Sequence, residues 1–204
     1  NAVNMPRRYF FVSVAVVDKA GKRTTDTIWH QVKDISFTNQ NDQHVSLSEA
    51  KGKIIVLNFF FTRCPTICPA LTLNMKRLQH SFAKNDSIVQ FISVSVDPES
   101  DSVPQLRNFA NKFNANQDNW WFVTGNKKDI YDFAFTEMKA SIADTNVDTA
   151  FIHTENFFLL DSSRVIRGWY NGFDTVKLAQ LARDIPILML VNGKNSPSFF
   201  RNFI

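Results

Sequence analysis

From Ile54 to Phe61 the chain is apolar at every position but Asn58, the pattern of a strand buried on both faces of a sheet. After Pro69 the period changes. Leu71, Met75, Leu78 and Phe82 recur at the spacing of an amphipathic helix. Ile88 to Val96 reads as a second strand, with Ile88, Ile92, Val94 and Val96 on one parity and a stop at Asp97-Pro98. Ser102-Val103-Pro104-Gln105 predicts a capping box opening a helix whose buried face is Leu106, Phe109, Ala110 and Phe113. Trp120 to Thr124 is a short third strand, and Asn126 caps a helix carrying Ile130, Phe133, Ala134 and Met138. A hairpin from Phe157 to Tyr170, turning at Asp161-Ser162-Ser163, precedes a last helix from about Thr175 to Leu190.

The order βαβαβαββα predicts an α/β domain: a mainly parallel sheet with antiparallel strands at its side, flanked by helices. Before it, Phe10 to Val17 and Asp26 to Val32, separated by Lys19-Ala20-Gly21-Lys22, predict an added N-terminal β-hairpin. The expected division is an extension over 1–34, the α/β domain over 35–191 and a C-terminal tail over 192–204. The end of that tail, Ser198 to Ile204, is apolar enough to dock on the body or on a neighbour.

The chain's two cysteines stand together in Cys64-Pro65-Thr66-Ile67-Cys68-Pro69, where the first strand gives way to the first helix. As a disulfide staple so short a loop would contribute only about 2 kcal/mol. Two inert buried cysteines fit poorly with two prolines in six residues. A redox dithiol and half of a metal site remain, and both need lowered thiol pKa values. Pro69 suits the first helical position, which would leave Cys68 at the cap beside unpaired N–H groups, and Arg63 adds positive charge.

In such sheets ligands gather at the carboxyl ends of the parallel strands, where Cys64, Cys68 and Asp97 fall. An antiparallel strand starting near Phe157 begins at the same edge, so His153 is the candidate third ligand. His30 and His44 read as solvated or structural, and His80 suits the end of the first helix. Asp97 and Asp101 form part of a strand-end turn, with orientation of the cysteine loop or contact with a partner as the functional alternative.

Phe59-Phe60-Phe61-Thr62-Arg63-Cys64-Pro65-Thr66-Ile67-Cys68-Pro69 resembles the copper-site segment of the Sco/SenC proteins, copper-binding assembly factors for cytochrome c oxidase. Ser36 to Gln40 with Lys51-Gly52-Lys53, Ser95 to Asp101, and His153-Thr154 followed by Phe157 to Asp161 agree with the family in the same order. The resemblance covers about Ile35 to Leu190. It departs at Ile152, where many relatives carry an acidic residue, and at Val103, often proline. It implies a thioredoxin-like fold and one copper held by Cys64, Cys68 and His153. It also implies delivery to the oxidase subunit carrying the CuA site, an upstream copper donor as possible partner, and a domain tethered to a membrane and facing the periplasm.

The donor chemistry agrees: two thiolates and an imidazole suit Cu(I), whereas structural zinc wants four protein ligands. Oxidation of the pair to a disulfide removes the thiolates and should exclude copper, so redox state would gate loading. The chain is then a metallochaperone and no enzyme in the turnover sense. Two alternatives use the same dithiol: a thioredoxin-like thiol-disulfide oxidoreductase, and a redox or copper sensor. Against the oxidoreductase, no proline lies between Pro104 and Pro186, where such enzymes place a cis-proline facing the cysteines.

The net charge of +4 is spread without a basic stripe, which argues against nucleic acid. No run approaches the roughly 18 apolar residues of a membrane span, so a tether is expected to be absent from this chain. Most of the twenty phenylalanines fall at core positions, and Phe59 to Phe61 are further expected to keep water from the metal site.

Overall fold

The computed structural model describes residues 5–17, 23–143 and 154–193. Among them two sheets form. The larger has seven strands: β3 (Ser36–Asn39), β4 (His44–Ser46), β5 (Ile54–Phe60), β6 (Val89–Ser95), β7 (Trp120–Thr124), β8 (Asn156–Leu160) and β9 (Ile166–Asn171). Their spatial order is β4-β3-β7-β6-β5-β8-β9. β5, β6 and β7 run parallel at the centre, and β3, β4, β8 and β9 each pair antiparallel with their neighbours. The smaller sheet is the N-terminal hairpin of β1 (Phe11–Val17) and β2 (Arg23–Trp29), paired from Phe11↔Trp29 to Val17↔Arg23. Its Asp18 to Lys22 connection lies outside the described residues.

The helices are α1 (Ile67–Ser81), α2 (Val103–Lys112), α3 (Lys127–Asp132), α4 (Ala140–Ala143) and α5 (Thr175–Gly193). The period-2 geometry of β5 sends Ile54, Val56 and Phe60 to one face, where they pack with Leu71 and Met75 of α1, Leu106 and Phe109 of α2, and Leu181 and Ile185 of α5. Ile55, Leu57 and Phe59 face the other way, onto Ile130 of α3, Phe133 and Met138. Asn58, the one polar break in β5, is buried on the α1 side. Its Oδ1 accepts Ser93 Oγ at 2.7 Å, and Ser93 Oγ accepts Trp120 Nε1 at 3.0 Å. A polar line thus crosses the three central strands with its donors and acceptors matched.

The expected strand and helix order is found with α4 added, β2 runs Arg23–Trp29 and not Asp26 to Val32, and further local details differ. The β3–β4 hairpin has no counterpart in the sequence reading. Past it, Gln40 extends the edge with its side chain: Nε2 donates to Trp120 O at 3.0 Å and Oε1 accepts Phe122 N at 2.9 Å. The capping box at Ser102 does not close on the backbone. The Ser102 hydroxyl donates to Gln105 Oε1, because Pro104 in the first turn removes one of the N–H groups a cap would take. The helix capped by Asn126, whose Oδ1 accepts Asp129 N at 3.2 Å, passes into a π turn at Phe133–Glu137. That extra residue puts Phe133, Ala134 and Met138 into the core together.

The segments on either side of the N-terminal hairpin are fastened along β9 and the turn before it. Tyr9 N donates to Ile166 O at 3.1 Å, Val32 N to Arg164 O at 3.0 Å, and the Tyr9 ring lies 4.6 Å from that of Trp169. Buried Arg167 binds Asp161 Oδ2 at 2.9 Å and the carbonyls of Pro6 and Arg7. These contacts cover an edge that would otherwise present unpaired backbone groups.

Ser93→Ala leaves Asn58 and Trp120 without their shared buried partner, and is expected to cost about 2 kcal/mol. A urea midpoint matching the wild type would show that the polar line is not needed for stability.

Candidate metal centre

The two cysteines lie where β5 hands the chain to α1. β5 is held at this end by Val96 N, which donates to Phe60 O at 2.9 Å. The chain then turns, with Cys64 N bonded to Phe61 O at 3.3 Å, and α1 begins at Ile67 with Thr66 at its cap. Cys68 is therefore inside the first helical turn, two places further in than the sequence suggested. Pro69 takes the third position, where its missing N–H has no helical partner to lose.

That shift exchanges the roles expected of the two thiols. Cys64 Sγ sits outside the helix and accepts Cys68 N–H at 3.3 Å. Burial alone would raise its pKa. The Cys68 thiol and the backbone N–H groups of Cys68, Thr66 and Ile67 outweigh that and hold it below the ordinary value. Cys68 is pushed up to about 12, first by burial and then by donating to Cys64. Both are free and buried, at 6% and 2% exposure. They belong to the core cluster that includes Phe60, Leu71, Phe157 and Tyr170, and Phe61 is packed, partly buried, against that cluster. Phe59 points to the opposite face of the sheet, so it does not shield the thiols as expected.

Asp97 and Asp101 both reach this loop. Asp101, fully buried, accepts Thr62 N at 3.1 Å, Thr62 Oγ1 at 2.5 Å and Ser95 Oγ at 2.6 Å. Asp97 binds exposed Arg63 at 2.8 Å. Burial pushes the Asp97 pKa up, but the Arg63 hydrogen bond, Ser100 and the Arg63 charge together hold it below the ordinary carboxyl value. Arg63 is thus bonded to Asp97 and Ser100. Ser95 and Thr62 were missed in the sequence, where only the polar breaks in β6 hint at the first.

His153 lies outside the described residues. The strand it precedes enters as expected: Leu57 pairs with Phe158, which brings the start of β8 to the carboxyl end of β5. Among the described residues no three His, Cys, Asp or Glu side chains cluster as a metal site. His30 is structural, with Nε2 2.9 Å from Glu137 O, while His44 is exposed on β4 and His80 exposed in the last turn of α1.

A central parallel strand ending in a buried dithiol at a helix N-terminus defines a thioredoxin-like domain with one donor pair in place. The family model SCO1/SenC matches residues 25–189. The SCO1 protein homolog of Bacillus subtilis is 33% identical over 166 residues, 81% of this chain and 86% of the relative. A SCO1/SenC family lipoprotein from Bacillus anthracis shares 32% identity with a TM-score of 0.68, covering 79% of this chain and 95% of that one. BsSco, described as having a disulfide switch and as a member of the Sco family of cytochrome c oxidase assembly proteins, shares 33% with a TM-score of 0.68, covering 81% and 97%. ScoI of Bradyrhizobium japonicum, with copper bound, shares 22% with a TM-score of 0.60 over 75% and 98%, a likeness of fold. The chain belongs to the SCO1/SenC family.

The asymmetry of the pair gives a direct expectation. At pH 7.5 a small alkylating reagent should modify Cys64 at least ~10-fold faster than Cys68, the thiolate being the nucleophile. Peptide mapping by mass spectrometry reads the order, and equal rates or the reverse order would contradict the assignment.

Proposed function

We propose that this protein is a copper metallochaperone that holds one copper ion through Cys64, Cys68 and His153. It delivers the ion to the CuA site of cytochrome c oxidase during assembly of that enzyme. The observation that carries the reading is the pair of free thiols side by side at the carboxyl end of β5, one of them readied as a thiolate by backbone N–H groups.

The donor set suits the cargo. Two cysteine sulfurs select soft Cu(I), and an imidazole completes three-coordination. Phe60, Leu71 and Phe157 give the sulfurs an apolar surround that keeps water away. Asp101 and Asp97 hold the loop that carries Cys64, through Thr62 and Arg63 respectively. Copper is cargo here, leaving by exchange of these thiolates for those of the recipient, so no turnover is needed. The oxidase subunit with the CuA site is the partner, and an upstream donor supplies the ion.

The chain acts outside the cytoplasm, in the periplasm, held to the membrane by an anchor. The lipoprotein description of the Bacillus anthracis relative supports this.

One observation favours a second reading. A lowered Cys64 beside a raised Cys68 is the asymmetry of an attacking and a resolving thiol, so the dithiol could reduce the recipient's cysteines or report redox state to a partner. The disulfide switch described for BsSco is in keeping with it.

Anaerobic copper titration of the reduced protein, beside His153→Ala and the air-oxidised form, separates the readings. Reduced wild type should take one tight equivalent, His153→Ala should bind about 10- to 100-fold more weakly, and the disulfide form should take none. No stable binding by reduced wild type would transfer the assignment to thiol-disulfide exchange.

A further inference from the structure

The stretch after His153 is not held by the central strand. Pairing of β8 with β5 runs from Leu160 only to Phe158, so the backbone from Phe157 back to Thr154 lies beyond that ladder. What holds it is β9, which pairs Asn156 with Asn171 and Phe157 with Tyr170, and, nearer His153, the turn between β9 and α5. Gly172 N donates to Glu155 O at 2.8 Å, and Asn171 Nδ2 donates to Glu155 Oε2 at 2.9 Å. The same turn is tied to the thiol helix, where Asn74 Nδ2 donates to Gly172 O at 2.8 Å.

Gly172 is thus bonded on one side to the chain that leaves His153 and on the other to the helix that carries Cys68. Glycine is required there. A Cβ would lie 2.4 Å from Leu71 Cδ2, 3.0 Å from Glu155 O and 3.1 Å from Phe157 Cζ. Leu71 is buried three residues after Cys68 and Phe157 is buried beside it, so neither has free space to retreat into. A side chain at 172 would wedge α1 from the entry to β8.

We infer that Gly172, with Asn171 and Asn74, is a positioning element that fixes the entry to β8 at Glu155 against the helix that carries Cys68. None of the three supplies a copper ligand. They act through the backbone, by joining the two segments that carry the ligands. The inference rests on the proposal that His153 binds copper. A misplacement of about 1 Å in such a set is expected to matter, because groups that orient metal ligands typically change affinity by about 10- to 100-fold.

The test compares Gly172→Ala, Asn74→Ala and His153→Ala in the full chain. Three quantities are read: copper affinity, the nitrogen coupling in the EPR spectrum of the Cu(II) form, and the alkylation rate of Cys64 in the reduced apoprotein. Gly172→Ala should weaken copper by about 10-fold or more and alter the nitrogen coupling while leaving the alkylation rate unchanged. Asn74→Ala should move in the same direction by less, and adding Leu71→Val to Gly172→Ala should recover part of the loss. A folded Gly172→Ala with wild-type affinity and nitrogen coupling would overturn the inference. If that variant does not fold, a silent Asn74→Ala overturns it alone. If His153→Ala keeps the wild-type nitrogen coupling, the ligand assignment fails and the inference falls with it, an outcome distinct from silence in the turn variants only.

Discussion

Asp101 is buried where the chain enters α2, and its two carboxyl oxygens are shared among the Thr62 N–H, the Thr62 hydroxyl and the Ser95 hydroxyl. A group so buried costs several kcal/mol to desolvate, and each hydrogen bond to it returns about 1.5–3 kcal/mol if charged. The loop after β5 therefore stays where all three donors reach Asp101, and the two residues that follow Thr62 are Arg63 and Cys64. The Arg63–Asp97 pair adds a tie on the solvent side. It is mostly exposed at the arginine, and a pair of that kind contributes little by itself. The buried contact sets the position, and the exposed one narrows it.

Given that position, the chemistry of the thiols follows from one helical residue. Because α1 starts at Ile67, Cys64 faces the unbonded N–H groups of the first turn and Cys68 is inside it. The backbone stabilises a thiolate on Cys64 only, while burial keeps the proton on Cys68. On the proposed reading a soft metal ion takes the place of the Cys68 proton and supplies the positive charge that stabilises its thiolate. The same asymmetry serves disulfide formation, so in the proposed function metal loading and oxidation compete for one pair of sulfurs.

Much of this could be read from the chain. The run of β5, polar only at Asn58, announced a central strand because burial on both faces leaves no polar alternation, and the period change after Pro69 marked the helix. The thiol pair and the two aspartates were legible as a cluster at strand ends, since that placement follows from parallel topology alone. Other features were not legible, because they depend on contacts distant in sequence. Gln40 completes the β7 edge with a side-chain amide, which no periodicity signals. The start of α1 at Ile67 turns on the loop that Asp101 holds, and propensity alone placed Pro69 first. Gly172 looks like any turn glycine until Leu71, Glu155 and Asn74 are seen around it. His153 rests on topology and family resemblance.

X-ray absorption at the copper edge of the Cu(I)-loaded, reduced protein tests the three-ligand set most directly. Two sulfur scatterers and one nitrogen scatterer, the nitrogen lost in His153→Ala, are the expected result. A shell of two sulfurs alone, identical in wild type and His153→Ala, would contradict it.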